Sequence, residues 1–400
     1  MGTSCLMTKS CFCYLILCFT LLFGVIFYDF IDKSLHFSFI DEIICLVLIH
    51  CWILNGVKQK EFFVFICVAL FYLGYSLWFP NNVQKAIVMD FFIQVKPFIA
   101  FYATYGIGFV FSDTQRQSIC KLSVFFAILL FFIGILSLNG STIMYTFCTH
   151  PSRFATMCTA LSMTYLYFSP NTRRSKIISL LILTIGLMSF KSKFFGFLPI
   201  FVLIIFGGTQ LNKFKIISIK TLIILSIMLS TSIYFAWDKI EFYFITGTSN
   251  DMEHTFARPL LYMKAVEILK DNPFFGSGFG SYATYASAVY YSPIYAKYRM
   301  IYNHEIGNGL FICDTFFPSL AQFGFVGICL FILFWKKRLQ EGMKKMRLES
   351  STFTFQFLVL ITIFFLIESL ADSTFTHNRG MYMMMLMAMC LSNPPKESWS

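Results

Sequence analysis

Charge is what this sequence has least of. Only 13% of its 400 residues are Asp, Glu, Lys or Arg, against roughly a quarter in soluble domains. That shortage, beside a 57% hydrophobic content and 52 Phe, excludes a soluble fold and predicts an all-α integral membrane protein, because lipid offers the backbone no hydrogen-bond partner outside a helix. Acidic residues are scarcer than basic ones, 20 against 31. The Lys and Arg residues sit in short loops between apolar runs and form no continuous basic face with interleaved aromatics, so nucleic acid is not a partner. The 13 Cys include Cys11, Cys13, Cys18, Cys45 and Cys67 inside apolar runs, with neither metal-ligand spacing nor a loop framework of pairs, and they read as small hydrophobes in lipid. No repeat of fixed period occurs, and no inverted pair of Gly- or Pro-broken helices argues for a secondary transporter. The N-terminal run "MGTSCLMTKSCFCYLILCFTLLFGVIF" has no small-residue cleavage pattern after it and reads as an uncleaved first span. Its Met-Gly start departs from a myristoylation signal, which requires Ser or Thr at the sixth position where this chain has Leu6.

What is present is a series of apolar runs. Runs near 11–28, 35–54, 61–79, 87–111, 118–138, 154–169, 177–190, 194–207, 216–236, 310–334, 352–371 and 380–392 predict about twelve membrane helices in a single polytopic domain over residues 1–400. Several are shorter than a full crossing, and 177–207 alone reads equally as one broken helix. Charge decides. The loop "KKRLQEGMKKMR" carries six basic residues and belongs in the cytoplasm. Splitting 177–207 at "FKSK" then places Lys58, Lys60, Arg116, Lys121, Arg173, Arg174, Lys176, Lys213, Lys215 and Lys220 inside as well. Both termini are expected in the cytoplasm, and residues 237–309 become one large extracytoplasmic loop with short helices, between spans nine and ten.

That loop holds most of the polar sequence. In "ARPLLYMKAVEILKDNP", Pro259 suits a first helical turn and "DNP" a stop. Arg258 beside the free amides of that turn is a candidate phosphate or pyrophosphate ligand; the alternatives are an Arg reaching lipid headgroups or paired with Glu253. "GSGFG", with Gly278 and Gly280, follows a helix and not a strand, so it reads as a close-packed turn or as backbone that approaches a bulky ligand. "YNHEIGNGLFICDTFFPSLAQFGFVG" places His304, Glu305 and Asp314 at the mouth of span ten, where a base for a hydroxyl nucleophile could sit; the spacing is no metal motif. Arg153, Lys191, Lys193 and Arg379 fall in other external loops. Basic residues there run against the insertion bias and suggest an anionic ligand on that side. Asp90, Lys96 and Glu368 are the main ionisable residues within spans, and Asp90 and Lys96 read as leaning toward water near an outer end.

The span layout with one large late loop, together with "ARPLLYMKAVEILKDNPFFGSGFGSY", "DTFFPSLAQFGFVG" and "ESLADSTFTHNRG", resembles the O-antigen polymerase (Wzy) family, within a superfamily that includes O-antigen ligases. The resemblance implies a metal-independent glycosyltransferase of the bacterial inner membrane that needs no cofactor. It would transfer an undecaprenyl-pyrophosphate-linked glycan onto another lipid-linked repeat unit at the periplasmic face. Its partners would be those substrates, membrane lipid, and a chain-length regulator and flippase of the same pathway. Arg residues of the third and fifth periplasmic loops, here Arg153 and Arg258, would hold pyrophosphate; from their place in external loops Arg379 and Lys193 are assigned lesser phosphate contacts, and Gly278 and Gly280 a backbone approach to the glycan. His304 or Asp314 would serve the acceptor; the family's His-Asn order reads "NHE" here. The rival readings are an O-antigen ligase acting on lipid A core, and a lipid-linked oligosaccharide flippase, which usually carries charges deep in its spans.

Overall fold

A computed structural model describes residues 2–211, 255–349 and 352–392, with Ser230, Trp237 and Glu241. The expected ninth span, 216–236, the first part of the large loop and Glu253 lie outside these residues, apart from those single positions. Among the described residues the chain is helical and contains no strand. Among the described residues, five helical stretches are long and apolar enough to cross a membrane: α4 (Lys60–Trp78), α5 (Gln84–Ile107), α6 (Asp113–Leu138), Phe317–Leu348, whose main part is α14 (Gly324–Glu349), and α15 (Phe353–Ala371). A sixth results if α1 (Gly2–Phe19) with its continuation to Ile26 is joined to α2 (Tyr28–Leu35) across a 64° bend.

The other expected spans that fall on described residues are also helices, but shorter or less apolar. They are α3 (Ile40–Asn55), α8 (Pro151–Phe168), α9 (Arg173–Thr184) with a 3-10 turn to Ser189, α10 (Ser192–Leu211) and α16 (Asn378–Ser392). The chain does break at "FKSK": Phe190 is left-handed, at φ 51°, and α10 restarts two residues later.

The centre of the bundle is α16. Every residue from Asn378 to Leu391 is buried, including Met381, Met383, Met384, Met385, Met387 and Met389. A helix enclosed on all sides must be apolar all round, and unbranched Met fills irregular gaps between unlike neighbours. Those neighbours are α5, α8, α15 and the Thr20–Ile26 turn. Local signals set several boundaries: Ser112 and Gln115 close a capping box on α6, and Gly108 ends α5 at φ 60°.

Residues 255–323 form a lobe with its own core. Leu260, Leu261 and Ile268 of α11 (Ala257–Asp271) pack against Tyr282, Tyr295 and Ile306. Tyr282 donates to the Leu261 carbonyl at 2.6 Å. The lobe is pinned to the α4–α5 turn: Asn81 Nδ2 donates to Ser277 O at 2.8 Å, and Asn82 Nδ2 to Gly280 O at 2.7 Å. The connections at one end of the bundle therefore meet each other. Segments near 29, 81, 150–153, 191–193, 257–314 and 368–379 are joined by side-chain contacts. Another group of charges gathers elsewhere, where Glu61 of α4 pairs with Lys337 and Arg338 of α14, each at 2.5 Å.

Candidate active site

The site is built from helix ends. The starts of α8, α10, α11 and α16 and the end of α15 bring their terminal side chains together, and α2 adds a carboxylate. Thr149, just before α8, is a β-branched residue at φ 61°, a conformation that surrounding structure must impose. It turns the chain so that His150 caps α8, its Nδ1 accepting from Ser152 N at 3.2 Å.

Arg153 and Arg379 converge on one carboxylate. Arg153 Nη1 lies 2.5 Å from Asp29 Oδ1, and Arg379 pairs with Asp29 Oδ2. Asp29 is fully buried and Arg379 nearly so, while Arg153 keeps 37% of its side chain exposed. Two guanidinium groups on one carboxylate leave a surplus positive charge, and Arg379 Nε is buried without a hydrogen-bond partner.

Lys193 sits between two acids of the α15 end, 2.6 Å from Glu368 and 2.7 Å from Asp372. Ser152 Oγ donates to the same Asp372 oxygen at 2.7 Å. Burial alone would raise the Asp372 carboxyl, but Lys193, with Ser152, outweighs it and holds the group below the ordinary carboxylate range. Arg258 pairs with Asp314 and reaches the Ala371 carbonyl at 3.4 Å, one residue before Asp372. Burial raises the Asp314 carboxyl, against the opposing pull of Arg258.

His377 lies on the segment between α15 and α16, with exposed surface and closely packed neighbours. Burial first, and Arg153 next, push its imidazole down to about 4, against the attraction of Asp372. It is therefore neutral at pH 7, and its Nε2 lies 3.1 Å from Ser373 Oγ. Among the described residues no three His, Cys, Asp or Glu side chains converge as a metal ligand set; cations stand between the carboxylates.

Four of the expected basic residues, Arg153, Lys193, Arg258 and Arg379, thus lie in one connected group with Asp314. The others lie elsewhere. His304 is exposed, its backbone carbonyl taken by Asn308 Nδ2 at 2.7 Å. Its neighbour Glu305 accepts the Ala257 amide at 2.6 Å, so the anion at the start of α11 is a side chain of the protein. Gly278 and Gly280, at φ 82° and 69°, make their close approaches to protein. A Cβ on Gly278 would meet Ser76 Oγ at 2.9 Å, and one on Gly280 would meet Ala86 O at 2.7 Å. Asp90 is fully buried and not turned to water; it accepts the Gly280 amide at 2.8 Å. Lys96 is buried as well.

Sequence reasoning missed Asp29, Ser152, Asp372 and His377. The one signal for Asp372 and His377 was their position in "ADSTFTHNRG", the external segment that already drew attention to Arg379. No family model matches the chain, and no curated protein matches it.

Proposed function

We propose that this chain is a glycosyltransferase that polymerises a surface glycan, passing a chain from an undecaprenyl-pyrophosphate carrier to another lipid-linked repeat unit at the outer face of a bacterial inner membrane. The observation that carries this reading is the convergence of Arg153 and Arg379 on Asp29, joined by Lys193 and Arg258 through the end of α15. Breaking the bond between a sugar C1 and a pyrophosphate oxygen develops negative charge on the leaving group. Preorganised guanidinium groups stabilise that charge by charge-assisted, bidentate hydrogen bonds. Two guanidinium groups on the one Asp29 carboxylate, with the Arg153 side chain 37% exposed, suit a diphosphate.

The twelve-span layout, with both termini in the cytoplasm and 237–309 in the periplasm, belongs to this proposal. What supports it is that the interacting connections are those which the charge bias assigns to the outer side. His304, Gly278 and Gly280 have no direct part in the chemistry proposed; the glycines hold the lobe in place.

The deciding experiment is the glycan profile of a strain lacking the chain. Single repeat units on lipid A core are the expected result. Bare core with polymer accumulating on the lipid carrier would make the protein a ligase, and repeat units trapped inside would make it a flippase.

A further inference from the structure

The lobe carries an exposed aromatic ring on a strained backbone beside the cationic group. Phe311 adopts φ 57°, in the left-handed region that a bulky residue enters only where the surrounding structure imposes it. Two positions earlier, at φ 75°, the chain uses a glycine, Gly309, which meets no such strain. Packing could offset the strain at Phe311, but its residue surface remains 53% exposed. The backbone therefore holds a phenyl face out where a ligand can reach it.

Hydrogen bonds fix where that ring stands. Residues 303–311 fold on themselves, the Gly307 amide donating to Asn303 O at 2.8 Å and the Leu310 amide to Glu305 O at 2.9 Å. Two more bonds dock this segment on the start of α11: Asn303 Nδ2 donates to Thr255 O, and the Ala257 amide to Glu305 Oε2, each at 2.6 Å. Ala257 is the residue before Arg258. A turn then follows Phe311, with the Asp314 amide donating to Phe311 O at 3.3 Å, and it ends at the carboxylate that pairs with Arg258. Phe311 thus stands on the rim of the Arg258–Asp314 pair.

A pyrophosphate held at Arg258 has a sugar on one side and an isoprenoid chain on the other. The neighbours of Phe311 favour the sugar. Gly307, Asn308 and Gly309 are exposed, and the Asp314 side chain keeps 41% exposure. A sugar ring matches this mixture, since its C–H face stacks on an aromatic face while its hydroxyl edges bond to amide and carboxylate groups. An isoprenoid would leave those polar groups unsatisfied, and so would the bilayer interior, which offers no partner to the exposed backbone of 307–309.

Resting on the polymerase reading, we infer that Phe311 is a stacking platform for a sugar of the lipid-linked repeat unit, next to the pyrophosphate. It is a substrate-binding residue and takes no part in bond making. Its strain is the cost of holding the ring outward.

The test uses the full chain in lipid nanodiscs, with lipid-linked repeat units extracted from the deletion strain as substrate and undecaprenyl pyrophosphate, which has no sugar, as a binding probe. Phe311→Gly removes the ring and relieves the backbone. It is expected to raise KM about five- to tenfold, with kcat and probe affinity within about threefold of the parent chain and a melting temperature no lower than the parent's. Phe311→Tyr should keep the parent KM, whereas Phe311→Leu, apolar but without a ring face, should behave as the glycine variant does. A parent-like KM in Phe311→Gly, in a preparation whose parent elongates, would overturn the platform and leave the polymerase reading standing. Full rescue by Phe311→Leu, or loss of probe affinity in step with KM, would also overturn it, by assigning the ring to the bilayer or to the isoprenoid carrier. A Phe311→Gly protein that melts well below the parent would do the same, since the ring would then be packing. If the parent chain neither elongates nor binds the probe, the polymerase reading falls, and the platform with it.

Discussion

Asp29 and Arg379 stand 350 positions apart in the chain and form a buried ion pair, with Arg153 on the second oxygen of the same carboxylate. Removing one member of such a group leaves uncompensated charge in a low-dielectric setting. Asp29→Ala is expected to cost about 3–5 kcal/mol and to lower the thermal midpoint of the detergent-solubilised protein sharply. Asp29→Asn, which keeps an acceptor oxygen, should cost less. Equal midpoints for Asp29→Ala and the parent would show that the group contributes nothing to the fold.

Arg258 should behave differently, because its partner Asp314 retains 41% side-chain exposure and can return to water. Arg258→Ala is predicted to abolish chain elongation while leaving protein level and melting temperature nearly unchanged. Arg258→Lys should restore little, since an ammonium cannot form the paired planar contacts of a guanidinium. Normal glycan length in the Arg258→Ala strain would remove this residue from the mechanism.

His377 makes stability depend on pH. Its imidazole is pushed down to about 4 in the folded chain, from an ordinary value of 6.5. Below 6.5 the unfolded chain takes up a proton that the native chain refuses. Stability therefore falls as pH drops from about 6.5 to about 4 and levels off beneath that. Asp372, held low, keeps its contribution throughout this window; Asp314, raised by burial, adds an opposite slope just above 3.8. Comparing the parent with His377→Gln in melts across pH 4–7 isolates the histidine, whose removal should flatten the decline.

Gly280 offers a test of the lobe's anchorage. Its φ of 69° disfavours any side chain, and a Cβ would also sit 2.7 Å from the Ala86 carbonyl oxygen. Gly309 has a similar φ of 75° with open space around it. Ala at Gly309 should cost only the backbone strain, about 1–3 kcal/mol, whereas Ala at Gly280 must also push the lobe off α5. Limited proteolysis should cut the 255–323 lobe faster in Gly280→Ala than in Gly309→Ala; equal rates would deny the close approach a role.

Arg153, Lys193, Arg258 and Arg379 were legible one by one, because a cation in a segment expected outside opposes the insertion bias and so demands a reason. Their carboxylate partners were not. Asp29 and Asp372 carry no periodic or spacing signal, and an isolated acid near a helix end looks the same whether it faces water or an arginine from a distant segment. His304 met the requirement of residue type and region, yet the fold leaves it away from the arginines and sets His377 near Arg153 and Asp372, a choice made by how α15 and α16 are joined. The glycines of "GSGFG" announced a close approach; that the approach is to Ser76 and Ala86 followed only from the docking of the lobe.

The amino-acid sequence by itself determined that this chain is helical and built largely of apolar runs, since a backbone in lipid must satisfy its hydrogen bonds within each segment, and it determined which connections hold cations. Tertiary structure alone decided which charges face one another. Ion pairing depends on a few ångströms between segments far apart in the chain, and the packing of helices around α16 sets those distances without leaving a pattern in any one of them.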